Sequence, residues 1–140
     1  MKKSICSALR KAALCCLLPA ACCLASCQES WQERAVRETR EMTLSQCPHY
    51  ITPGLIVDSL AFTPADNTRH SYYTLVDSLV NIYQLTEEKR ILAHQSLVDE
   101  VCGSVGLRTL KKHRVTFAYH YRLLSTGQEI VTDSVTASEY

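Results

Sequence analysis

The chain has 140 residues, with 15 Lys and Arg against 14 Asp and Glu, a formal charge of +1 with its five His neutral. That length holds one ordinary domain, and a hydrophobic share of 46% is enough to give it a core. The charge balance gives no argument for a nucleic-acid partner, and four glycines leave little for a nucleotide-binding loop.

The N-terminus is read first. Lys2, Lys3, Arg10 and Lys11 precede an uncharged apolar run, residues 12–23 (AALCCLLPAACC), and no acid precedes Glu29. The run is shorter than the roughly 20 apolar residues that cross a bilayer. A positive start, a short apolar core and small residues before a cut mark a secretory signal. Leu24-Ala25-Ser26-Cys27 resembles the lipobox of bacterial lipoproteins. That resemblance implies loss of residues 1–26, a diacylglyceryl group on the Cys27 thiol and a lipid-anchored mature chain, 27–140. An ordinary signal cut nearby is the alternative. Stable anchoring takes at least two acyl chains. Gln28 rather than Asp follows the cysteine, which in such lipoproteins implies transfer to the outer membrane. Glu29 and Glu33 sit where some diderm bacteria read a surface-export signal, and where a solvated helix start also places acids.

Cleavage changes the balance. Loss of Lys2, Lys3, Arg10 and Lys11 leaves eleven basic residues against fourteen acidic ones, a charge of −3. It also sorts the eight cysteines: five leave with the signal and Cys27 is acylated, so Cys47 and Cys102 remain. In an exported domain they either pair or stay as two separate buried thiols. A bridge would stabilise by roughly 4 kcal/mol in the chain-entropy account.

The mature chain then reads in order. Residues 28–46 predict a helix with Glu33–Arg37, Arg34–Glu38 and Arg37–Glu41 on its outer face and Trp31, Ala35, Val36 and Met42 as its apolar stripe. Cys47-Pro48 ends it. Pro53-Gly54 is a turn, followed by strands over 55–62 and 69–76 joined by a Pro-, Asp- and Asn-bearing loop, 63–68. Residues 86–102 predict the clearest helix, with Thr86 as N-cap and Glu87 and Glu88 in its first turn. Ile91, Leu92, Val98, Val101, Cys102 and Val105 are its expected core face, and Leu107–Lys112 adds a further turn. Residues 114–124 alternate strictly, Val115, Phe117, Tyr119, Tyr121 and Leu123 against Thr116, Ala118, His120 and Arg122, which is a half-buried strand. A turn at 125–128 returns it through 129–136. The fold class is α+β: an α-β-β-α-β-β order giving a four-stranded antiparallel sheet from two hairpins, helices on one face.

Cys47-Pro48, Tyr72-Tyr73, Tyr119-His120-Tyr121 and Gly127-Gln128-Glu129 recur in this layout. It resembles a group of small bacterial envelope lipoproteins for which no activity is established. The resemblance covers most of 28–140 and implies fold more than function.

The chemistry-bearing residues form few patterns. None of the five histidines has a zinc spacing, and there is no GxSxG elbow, so neither a metal nor a cofactor is expected. Tyr72, Tyr73, Tyr119, His120, Tyr121 and Arg122, with His70 close by, are the candidate binding face for an envelope protein or glycan. The alternative is plain strand propensity at a core edge. Asp58-Ser59-Leu60, Asp77-Ser78-Leu79 and Asp133-Ser134-Val135 resemble the acceptor of a general O-glycosylation system, which makes Ser59, Ser78 and Ser134 candidate sites. Asp-Ser also suits turns and strand ends. The expected function is a non-enzymatic lipoprotein of the cell envelope, most simply at the outer membrane, with a binding or structural role. The alternative is a surface-presented inhibitor using the 63–68 loop, or a small hydrolase-type enzyme with converging His and Asp in a pocket.

Overall fold

In the computed structural model, which describes residues 29–79 and 86–140, helix α1 spans Trp31–Gln46. Leu24, Ala25, Ser26 and Cys27 lie outside the described residues. The chain divides after Ser30, and the folded unit is Trp31–Tyr140. The inner stripe of α1 is Trp31, Ala35, Thr39 and Thr43, one residue per turn. Val36 and Met42, expected in that stripe, are exposed at 38% and 39%. Threonines take their place, Thr43 bonded to the sheet and Thr39 to its own helix. The Thr43 hydroxyl accepts from the Leu60 amide and donates to the Leu60 carbonyl, both at 2.8 Å. Thr39 donates to the Ala35 carbonyl at 2.6 Å. Arg37 and Glu41 pair at 3.2 Å on the outer face.

Strands β1 (His49–Thr52), β2 (Leu55–Thr63) and β3 (Thr68–Leu75) follow, then a 3-10 turn at Asp77–Leu79. Helix α2 is Glu87–Gly103, and the Thr86 hydroxyl accepts from the Lys89 amide at its start, as predicted. Helix α3 (Arg108–Lys112), β4 (Thr116–Leu123) and β5 (Glu129–Val135) complete the unit. No described helix is long and apolar enough to cross a membrane.

The sheet has five strands in the order β1-β2-β3-β4-β5 and is mixed, which corrects the expected four-stranded antiparallel sheet. The first correction is β1, a short edge strand whose four residues are all exposed. The second is the central pair: β3 and β4 run parallel, in unbroken register from Thr68 opposite Thr116 to Leu75 opposite Leu123. The segment carrying α2 and α3 is the long crossover a parallel pair needs. The two predicted hairpins are real, but the strands that join them, β3 and β4, pair parallel rather than antiparallel.

Both helices cover one face of the sheet, as expected. There Ala35, Phe62, Val101, Val115, Phe117, Tyr119 and Val135 form the core, with Trp31, Leu97, Val98 and Leu110 packed against it. Of the face predicted for α2, Val101 is fully buried and Val98 packs on the core, whereas Ile91, Leu92 and Val105 are 61%, 64% and 71% exposed and Cys102 is exposed. The inner turns are His94, Leu97, Val98 and Val101, so the helix is rotated from the sequence reading. Tyr140 closes the unit: its hydroxyl donates to the Val115 carbonyl at 2.6 Å and its ring meets Phe117 edge-on at 5.6 Å.

Candidate functional site

Alternation along β3 and β4 divides the six predicted binding-face residues between the two faces. Tyr73, Tyr119 and Tyr121 point to the helices. Tyr73 stacks on Tyr121 at 5.0 Å and on Tyr119 at 6.3 Å. Burial and the nearby Glu100 carboxylate push the Tyr119 hydroxyl far above its usual range. Arg69, with Tyr119 and Tyr73 beside it, is lowered by burial. These three tyrosines lie at the polar edge of the core, on the opposite face of the sheet from Tyr72, His120 and Arg122.

Tyr72, His120 and Arg122 point the other way, where no described helix packs. Parallel register sets Tyr72 opposite His120, and their rings stack at 4.8 Å. The Arg122 guanidinium lies 4.8 Å from the Tyr72 ring centroid. His70, one pleat along, shares a 3.0 Å hydrogen bond with His120: its Nδ1 faces His120 Nε2. His120 Nδ1 donates to the Glu129 carboxylate at 3.0 Å, and the Thr132 hydroxyl donates to the other Glu129 oxygen at 2.7 Å. If Nδ1–H is given to Glu129, the other ring nitrogen of His120, Nε2, is left to accept from His70. Burial and the neighbouring His120 lower His70, while the Thr132 and His120 hydrogen bonds lower Glu129. The result is a chain of satisfied groups, His70–His120–Glu129–Thr132, under an Arg–Tyr stack. Beside it Thr74 donates to Asp58.

The candidate glycosylation residues separate too. Ser59 sits half-buried on this same face, opposite Tyr72. Ser78 and Ser134 are exposed, so both hydroxyls meet the first requirement for modification. Cys47 and Cys102 are free thiols, and the bridge considered for them is not formed. The fold keeps them on different flanks. Cys47 follows α1, near Asp58 of β2, and burial raises its thiol. Cys102 ends α2, with its sulfur 3.9 Å from the Glu139 carbonyl.

A cleft of about 690 Å3 runs between α2 and the edge strand β5, lined by Ile91, His94, Leu97, Tyr121, Val131 and Asp133 among others. His94 and Asp133 converge there, the pairing that would recommend an enzyme. The geometry makes it a clamp instead. His94 Nδ1 donates to Asp133 at 3.0 Å and Nε2 donates to Glu139 at 2.8 Å, so both nitrogens carry protons and face carboxylates. Those bonds raise His94, and the Thr136 amide and hydroxyl with His94 bring Glu139 down to about 2. The 63–68 loop, a candidate inhibitory loop, is pinned by Asn67, whose amide donates to the His113 and Arg114 carbonyls at 3.0 and 3.1 Å. Among the described residues no group of three or more His, Cys, Asp or Glu is arranged to hold a metal ion.

A five-stranded sheet with two helices on one face, and on the other a polar face that no described helix covers, defines a small α+β domain. The chain belongs to the family described as Domain of unknown function (DUF8479), which matches residues 30–132. Solved structures share the fold at low identity. A Pseudomonas aeruginosa protein described as secreted superposes with a TM-score of 0.66 at 16% identity, covering 82% of this chain and 97% of its own. The type 2 secretion system pilotin EpsS of Vibrio vulnificus gives 0.56 at 15% identity, covering 77% and 89%. The type II secretion system pilotin AspS of Vibrio cholerae gives 0.55 at 16%, covering 78% and 91%. The curated proteins contain no match to the chain.

Proposed function

We propose that this chain is a non-catalytic binding protein of the cell envelope, anchored by acyl groups on Cys27 at the outer membrane, that holds an envelope protein or glycan on the uncovered sheet face. The observation that carries this reading is the Tyr72–His120 stack capped by Arg122. Aromatic and Arg side chains on a rigid, exposed surface suit recognition, because they offer large contact area at little entropic cost. Pilotins with the same fold serve secretion systems, which supports a partner-binding role in the envelope.

The reading extends to catalysis by the chemistry of the site. His70, His120 and Glu129 form a hydrogen-bonded chain on a face outside the cleft between α2 and β5. The His94 set is a clamp with its donors spent. A non-enzymatic role fits both. The test is isolation of the tagged protein from gently solubilised envelope, wild type beside the double variant Tyr72→Ala, Arg122→Ala. A co-purifying protein or glycan, lost in the variant while circular dichroism stays unchanged, is the expected result. Equal recovery from both forms would sink this face as the binding site.

A further inference from the structure

Five of the seven residues from Arg108 to Arg114 are basic or histidine: Arg108, Lys111, Lys112, His113 and Arg114. The structure gathers the four permanent cations around a concavity of about 440 Å3, which Cys102 and Tyr140 also line. Three of the four are held in place. Arg108 begins α3. Lys111 reaches back to the end of α2 and donates to the Val101 and Cys102 carbonyls at 2.7 and 2.8 Å. An ammonium has three donors, so one stays free for a ligand. Arg114 adopts φ 55°, a left-handed backbone locked by the Asn67 amide on its carbonyl. His113 beside it stacks flat on Trp31 at 4.0 Å.

Among the described residues no Asp or Glu side chain is paired with these charges. Residues 1–28 and 80–85 contain no Asp or Glu that could supply such a pair. Glu139, the nearest acid in sequence to the pocket-lining Ala137 and Tyr140, is spent on His94 and Thr136. In a mature domain of net charge −3, four cations around one hollow are a focused positive site rather than a share of a basic surface. Clustered guanidinium and ammonium donors match a tetrahedral oxyanion, since Arg binds it through two parallel bonds and Lys as a point charge.

We infer that this pocket binds a phosphate group, carried either by an anionic lipid headgroup or by a small soluble phosphate. This is independent of the uncovered sheet face. Cys102 supplies an internal reporter, because it is an exposed free thiol in the pocket wall while Cys47 lies elsewhere.

The experiment uses the full mature chain extracted from membranes in a non-ionic detergent. Alkylation of Cys102 by iodoacetamide is followed by peptide mass spectrometry, with Cys47 as reference. Inorganic phosphate and dihexanoyl phosphatidylglycerol are titrated separately against potassium chloride at matched ionic strength. The expected result is saturable slowing at Cys102 alone, and saturation at about tenfold higher concentration in Arg108→Gln, Lys112→Gln. Protection by the lipid alone assigns the headgroup, and protection by inorganic phosphate alone assigns a soluble ligand. No protection, protection by chloride alike, or an unchanged double variant would each overturn the site.

Discussion

Single residues decide what this sheet can present. Tyr72 and Tyr73 are neighbours in sequence, yet one ring faces solvent beside Arg122 and the other packs under the helices. The two-residue period along 114–124 already separated Tyr119 and Tyr121 from His120 and Arg122. What the period lacks is the identity of the neighbouring strand, so the Tyr72–His120 contact needed the parallel register. Gly54 is a second case. The Pro53-Gly54 dipeptide signals a turn, but the backbone shows why no side chain fits. Gly54 has φ 98°, and an added Cβ would stand 2.6 Å from Val76 Cγ2 and 2.7 Å from Leu79 Cδ1. Gly54→Ala therefore costs at least roughly 1–3 kcal/mol from backbone strain alone. Urea unfolding should show a lower midpoint with unchanged slope, and a wild-type midpoint would contradict the argument. Gly127, at φ 67° with nothing within 4 Å, has only the conformational cost.

Elements were more legible than their pairing. Both long helices, the Thr86 cap, the turn at 125–128 and four of the strands follow from periodicity and turn chemistry. β1 was not visible because His49–Thr52 is exposed throughout and carries no alternation of polarity. The parallel centre was not visible because pairing across a crossover leaves no local mark. The rotation of α2 has a polar cause: His94 occupies an inner turn because carboxylates await it, and an apolar count passes over it. That clamp joins α2 to β5 through Asp133 and to the C-terminal turn through Glu139. It is therefore a pH-dependent tie. His94 is raised above its ordinary 6.5, so its stabilisation is complete below 6.5 and fades as pH climbs through the raised value. Glu139 is depressed from 4.5 to about 2, so its share is complete above 4.5 and fades as pH falls toward 2. The two overlap from about 4.5 to about 6.5. His94→Gln should lose most stability relative to wild type inside that window, and the two unfolding midpoints should converge at higher pH. A constant difference across pH would rule out the clamp as the source.

At the scale of the molecule, the folded unit and the N-terminal segment make separate demands that one measurement checks together. The lipobox resemblance requires a mature chain that starts at Cys27 with acyl groups on it. The structure holds Cys47 and Cys102 as two free thiols. A glycan on an Asp-Ser triplet would require an accessible hydroxyl, and Ser78 and Ser134 are the exposed ones. The intact mass of the protein extracted from membranes, taken with and without reductant, reads all three. The expected mass is that of Cys27–Tyr140 plus at least two acyl chains, since one holds a protein only marginally. Reduction should leave it unchanged, and alkylation without reductant should add two groups, at Cys47 and Cys102. Any sugar-sized increment should map to Ser78 or Ser134 before the half-buried Ser59. A gain of two protons on reduction would mean that the flanks come together in the native protein. An unacylated chain beginning elsewhere would remove the anchor and leave a domain free to diffuse, for which the uncovered face alone would have to secure the partner.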